Sequence, residues 1–234
     1  MAIVLEDAVW VRATTNPLTY TPTSGRNSNG RVAVAVFGYW TSAGPITAPT
    51  GWTLLDSGTT SSNVHNSAAV YYKKLGASEP TSYNWSWGGS LDEQIGGFLI
   101  YSGADATDPI QAYSKKLDSS GDTPTAAGVT VASQPAMLIW LAGNNSGNAP
   151  LGSMTPPTGF TERIEYDGVS YGGVYAADKA HTSTGATGDI AASFTMAAPW
   201  VTFLVALKEA SAGGGGSTAK ARRIQAPEGA RILR

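Results

Sequence analysis

Cysteine is absent from all 234 residues. That excludes a disulfide framework, thiolate zinc sites, iron–sulfur ligation and a cysteine nucleophile, so stability must come from packing or from partners. Histidine is scarce. His65 and His181 both lie in Ser/Thr/Asn-rich stretches, and neither belongs to a His-x-His or His-Glu-x-x-His spacing that would gather imidazoles on a metal. Each reads as a surface hydrogen-bonding side chain. Charged residues are only 14% of the chain against 42% apolar ones, a balance that argues for a packed core and against general disorder. No apolar run has the length of a membrane helix. The opening segment carries acids at Glu6 and Asp7, where a secretory leader would have a basic start and a long apolar stretch. A soluble chain outside the general secretory route is expected.

Catalytic signatures are missing as well. There is no Gly-x-Ser-x-Gly elbow, no phosphate-binding Gly-x-x-x-x-Gly-Lys-Ser/Thr loop and no Gly-x-Gly-x-x-Gly after a strand. Asp92-Glu93 follows Gly88-Gly89-Ser90 and reads as a solvated turn rather than a glycosidase pair. Asp105–Asp108 and Asp118–Asp122 could offer hard oxygens to calcium, but they lack the twelve-residue spacing and the closing Glu of an EF-hand loop. Turn chemistry accounts for them equally well. The expectation is a protein that is not an enzyme and holds no metal or cofactor.

What is present is first of all strand. Period-2 alternation and β-branched or aromatic runs predict strands at Ile3 to Arg12, Arg31 to Trp40, Trp52 to Asp56, Ser67 to Leu75, Tyr83 to Trp87, Gln94 to Tyr101 and Ile110 to Lys116. Further strands are predicted at Ala126 to Val131, Ala136 to Ala142, Phe160 to Tyr166, Tyr171 to Lys179, Asp189 to Phe194 and Trp200 to Lys208. Gly, Pro, Asn and Asp punctuate the intervals. Many short strands with regular turns make an all-β, two-sheet β-sandwich of jelly-roll-like type.

The strands come in two related sets. Pro49-Thr50-Gly51-Trp52-Thr53 recurs 108 residues later as Pro157-Thr158-Gly159-Phe160-Thr161, and flanking strands recur in the same order at offsets of 104 to 108. Two diverged halves, about 31–103 and 135–208, are therefore expected within one body of residues 1–210 that shares a single core. In the repeated turn, Gly allows the positive φ that reverses the chain, and the following aromatic, Trp52 or Phe160, drops inward as an anchor. Tyr83, Trp85 and Trp87 fall at i, i+2 and i+4 and share one face of a strand. That face is read as core, because Asn84 and Ser86 take the other; the alternative is a platform that stacks on a glycan.

Charge is divided unevenly. Residues 218–234 hold five bases and one acid, net +4, which leaves 10 bases and 16 acids, net −6, for the remainder. Between the two parts, residues 211–217 contain four consecutive glycines and read as a flexible hinge. The arm lacks aromatics to stack bases and belongs to an acidic chain, so nucleic acid is not the expected partner. Its bases Lys220, Arg222, Arg223, Arg231 and Arg234 and its apolar Ile224, Ile232 and Leu233 instead suit an extended tether that docks on another protein.

The run Ala48-Pro49-Thr50-Gly51-Trp52-Thr53-Leu54-Leu55, then Val70-Tyr71-Tyr72-Lys73-Lys74, Ser78-Glu79-Pro80-Thr81-Ser82-Tyr83-Asn84-Trp85 and Tyr101-Ser102-Gly103-Ala104-Asp105 resembles the β-sandwich module of tailed-bacteriophage virion proteins, the minor tail and head-decoration proteins. The resemblance spans about residues 30 to 209 and transfers no binding residues. It implies a non-enzymatic virion component, assembled in the host cytoplasm in several copies and contacting tail or capsid subunits, with no membrane partner. A carbohydrate-binding adhesin module for host attachment is the alternative.

Overall fold

The computed structural model describes residues 2–40, 46–60, 66–89, 94–133, 135–144, 152–168 and 172–211. The first half contributes β1 (Val4–Ala13), β2 (Leu18–Tyr20), β3 (Arg31–Trp40), β4 (Ile46–Thr47), β5 (Thr53–Thr59), β6 (Asn66–Lys74), β7 (Tyr83–Trp87) and β8 (Gln94–Ser102). The second contributes β9 (Ile110–Gly121), β10 (Thr125–Ala126), β11 (Thr130–Val131), β12 (Ala136–Asn144), β13 (Thr161–Gly168), β14 (Gly172–His181), β15 (Gly185–Ala186), β16 (Ile190–Ala191) and β17 (Ala198–Lys208). All are strands; among the described residues no helix is long and apolar enough to cross a membrane.

Each half builds one five-stranded antiparallel sheet, and the two sheets have the same connectivity. The order β1-β8-β3-β6-β5 in the first matches β9-β17-β12-β14-β13 in the second. The connecting strands form smaller sheets on the outer faces, β2-β7-β4 over the first sheet and the pairs β10-β16 and β11-β15 over the second. A single bridge between Thr155 and Ser193 stands where the first half pairs Thr47 with Ser86. The chain thus alternates between a large and a small sheet in jelly-roll fashion within each half. Two sheets were expected; the large pair meets that expectation, and the small outer sheets add a layer to each side. Pieces two or three residues long carry no readable period, which is why β2, β4 and β15 were not anticipated and why the predicted strand Ala126 to Val131 is split into two short pairings.

Three apolar clusters follow from this layering. The central one lies between the large sheets and draws on both halves, with Val32, Val34, Val36, Val70 and Leu99 facing Met137, Ile139, Leu141, Ala176 and Val205. The other two lie between each large sheet and its small one, around Phe37, Trp85 and Phe98 on one side and Trp140, Tyr175 and Trp200 on the other.

Face assignments give the true register of the repeat. Val34 matches Ile139, Val70 matches Ala176 and Leu99 matches Val205, since these residues point into the central core at equivalent sheet positions. The offset of 104 read from sequence for the strands that begin at Val34 and Val70 sets them against Leu138 and Val174, off by one and by two residues. A one-residue slip exchanges the faces of a strand. Because β3, β8, β12 and β17 are apolar on both faces, their sequences hold no alternation to reveal it.

The large sheets approach most closely at two equivalent glycines. A Cβ on Gly143 would lie 2.5 Å from the Ala68 Cβ and 2.9 Å from the Phe37 carbonyl oxygen; one on Gly38 would lie 2.9 Å from the carbonyl oxygens of Asn144 and Gly173. Polar links from Asn66 and Tyr101 also cross between the halves, to acceptors that Asn144 and Arg163 of the second half share. Asn66 and Asn144, both fully buried, donate to the Pro199 carbonyl. Tyr101 Oη donates to Asp178 Oδ2 at 3.0 Å, and Arg163 Nε donates to Asp178 Oδ1 at 2.8 Å. One open edge is joined by the Lys115–Asp56 ion pair at 2.7 Å, the other by the rings of Trp10 and Tyr166 at 4.3 Å.

Buried phenols set an alkaline limit on this packing. Burial and a neighbouring carboxylate raise Tyr20 beside Asp7, Tyr83 beside Glu79 and Tyr101 beside Asp178. Burial, with Tyr39 nearby, pushes Tyr71 up to about 12. In the unfolded chain these groups ionise near pH 10. Stability should therefore be intact below about pH 10 and fall above it by about 1.4 kcal/mol per pH unit for each such tyrosine. Tyrosinate absorbance followed beside near-ultraviolet circular dichroism checks this: the four phenols should ionise only as tertiary structure is lost.

Candidate functional site

The arm residues Lys220, Arg222, Arg223, Ile224, Arg231, Ile232, Leu233 and Arg234 lie outside the described residues, as do His65 and the Asp92-Glu93 pair. The aromatic row is described fully. Tyr83, Trp85 and Trp87 are 2%, 0% and 4% exposed, on the inner face of β7 against Phe37, Trp52, Tyr71 and Phe98. They are core, and the glycan platform envisaged for these three residues is corrected accordingly: no sugar reaches a ring with no exposed face.

The acidic loops serve local turns. Asp105 accepts hydrogen bonds from the backbone N–H of Thr107 and Asp108 at 2.8 and 3.1 Å and pairs with Lys208 at 3.1 Å. These contacts, the Asp108 and Thr107 N–H groups foremost, hold its carboxyl at a pKa of about 2. Asp118 accepts from the Ser120 N–H at 3.2 Å. Among the described residues no three His, Asp or Glu side chains are grouped as a metal site would require.

The repeated turn positions a more informative pair of niches. In both copies Gly takes a left-handed conformation, φ +86° at Gly51 and +78° at Gly159, and the aromatic N–H returns to the proline carbonyl, Trp52 to Pro49 at 3.2 Å and Phe160 to Pro157 at 2.8 Å. A lysine from the neighbouring strand lies over each turn, Lys73 on β6 and Lys179 on β14. From there the copies diverge.

In the first niche Lys73 pairs with Glu79 at 3.2 Å. Burial alone would raise the Glu79 pKa, but hydrogen bonds from the Gly76 N–H, Tyr83 and Lys73 together lower it. Tyr83 Oη sits 2.7 Å from Glu79 Oε2, its ring packs edge-on against Trp52 at 5.5 Å, and Leu75 completes the apolar filling.

The second niche is a hollow of about 410 Å³ lined by Leu138, Pro157, Phe160, Lys179, His181 and Asp189, with Thr158, Thr187, Ile190 and Ala191 at its margins. Lys179 lies 5.8 Å from the Phe160 ring centroid, and His181 Nε2 is 3.2 Å from Ser183 Oγ. Asp189 accepts from the Gly128 N–H at 3.1 Å and from Lys116 at 3.3 Å. Sequence reading treated His181 as a surface residue and passed over Lys179. The available signal was in the repeat: Ile190-Ala191-Ala192-Ser193-Phe194 occupies the place of Tyr83-Asn84-Trp85-Ser86-Trp87, with aliphatic Ile190 and Ala192 where the first copy has the rings of Tyr83 and Trp85.

Compared with family models, curated proteins and solved structures, the chain matches none of them.

Proposed function

We propose that this chain is a structural accessory protein of a bacteriophage virion, a minor tail or capsid-decoration protein, held to tail or capsid subunits by its C-terminal arm. The observation that carries this reading is the partition of the chain. A strand-built body with net charge −6 is followed by four glycines and then by residues 218–234 with net charge +4. Most of the described aromatic residues of the body are buried in its own core, with Trp10 and Tyr113 exposed. The resemblance of residues 30 to 209 to virion β-sandwich modules supports the same reading.

In this arrangement Arg222, Arg223, Arg231 and Arg234 supply charge-assisted hydrogen bonds to an acidic groove, and Ile224, Ile232 and Leu233 supply apolar anchors. The glycine hinge keeps the arm at high effective concentration near its site once the body is close. Particles assembled from a gene ending after Ser211 provide the test. The truncated body should keep the melting temperature of the full chain and be missing from purified virions. Truncated chains that still incorporate overturn the anchoring role, and absence of the full chain from particles overturns the virion reading.

A further inference from the structure

The two halves act as an internal control for each other. They share sheet order, the Pro-Thr-Gly-aromatic turn and the lysine above it, so a difference confined to one niche stands out against the same scaffold. Position by position, Trp52, Leu75 and Tyr83 of the first niche are replaced by Phe160, His181 and Ile190 in the second, and the loop that carries Glu79 is replaced by residues 182–188, which hold no acid. Every change removes filling or adds a polar group. Divergence that only relaxed the packing would leave an apolar dent; here the buried Leu75 gives way to a half-buried imidazole, and the lysine is kept while its acid is lost.

That loss decides the chemistry. Lys73 is neutralised by Glu79, whereas Lys179 lies over the Gly159 turn and the Phe160 ring with no carboxylate partner among the described residues. The first niche shows what satisfies such a lysine in this scaffold: a carboxylate that in turn accepts a hydroxyl carried on a six-membered ring, Glu79 and Tyr83 together. In the second niche the shorter Ile190 stands in place of Tyr83, and a hollow opens beside Lys179. Its lining combines apolar Leu138, Pro157 and Ile190 with polar Thr158, His181 and Asp189. A lining of this mixed kind suits a pyranose ring, which has an apolar C–H face and hydroxyls around its edge.

We propose that this hollow binds an acidic sugar, a uronate-type monosaccharide unit. Its carboxylate pairs with Lys179 in the position that Glu79 takes beside Lys73, its ring fills the space that Tyr83 fills in the first half, and its hydroxyls bond to His181 and Asp189. The inference rests on the niche comparison alone and is independent of the virion reading. The site is also separate from Tyr83, Trp85 and Trp87.

Isotope-labelled full-length chain titrated with D-glucuronate, D-glucose and hexanoate tests it, with backbone amide shifts as the readout and probe taken to about 20 mM to cover a millimolar Kd. Glucuronate should shift Phe160, His181 and Ile190 and bind about tenfold or more tightly than either other probe. Lys179→Gln should weaken it about tenfold. His181→Ala, which removes a lining side chain of the hollow, should weaken it as well, while Lys73→Gln should leave binding unchanged. Equal affinity for glucose overturns recognition through charge, and equal affinity for hexanoate overturns the sugar assignment. Absence of shifts at these three residues, or binding undiminished in both pocket variants, overturns the site.

Discussion

Trp85→Ala should destabilise the protein by about 3–5 kcal/mol, the range for deleting a large buried aromatic side chain. The ring has no exposed surface and lies 4.5 Å from Phe37, 4.9 Å from Trp52 and 5.1 Å from Tyr71, centroid to centroid. Its removal would take away the contact by which β7 covers the first large sheet, and neighbouring rings fixed on β3, on β6 and in the turn before β5 could not close the gap. A loss of this size is a large share of the roughly 5–15 kcal/mol that holds an ordinary domain together. Denaturant titration should show a large fall in midpoint. Trp10→Ala, at a site 46% exposed, should cost much less and serves as the control. A near-neutral Trp85→Ala would mean that the row is not core.

The second large effect is expected at the contact between the sheets. Gly143→Ala would place a methyl carbon 2.5 Å from the Ala68 Cβ and 2.9 Å from the Phe37 carbonyl oxygen. Neither neighbour can rotate away, since one is itself a Cβ and the other is backbone. The sheets must separate locally, and overpacking of this kind costs about 1–3 kcal/mol or more. Gly38→Ala meets backbone oxygens of the opposite sheet at 2.9 Å and should cost a similar amount. Because both substitutions open the same contact, the double variant should lose clearly less than the two single losses added together. Gly76→Ala, at a position without left-handed backbone where a Cβ would meet nothing closer than 3.5 Å, separates the conformational effect of losing a glycine from the steric one. Denaturant midpoints for the four variants are the measurement. Full additivity of the Gly38 and Gly143 losses would show that the glycines do not share a contact.

Much of the framework was legible from local chemistry. β3 and β7 begin and end where alternation and aromatic content place them, and the two Pro-Thr-Gly-aromatic turns mark equivalent corners because only a residue without a Cβ takes their backbone conformation at low cost. Trp52 is buried as anticipated, while Phe160 is half-buried because the niche above it is open. The candidate site was not legible. Lys179 and His181 are ordinary strand-end residues in sequence; they gain meaning only when Ile190, some ten residues further on, folds over them and fails to fill the space that Tyr83 fills in the first half.

Composition and local pattern determined that the chain is all-β, that it is duplicated and that a basic arm follows four glycines, because each of these is written in neighbouring residues. Which face of each central strand meets the other half, the correct register of the repeat, the burial of Tyr83, Trp85 and Trp87 and the opening beside Lys179 were decided only by tertiary structure. The physical reason is common to all four. Strands apolar on both faces carry no alternation, and a hollow is a property of side chains brought together from distant parts of the chain.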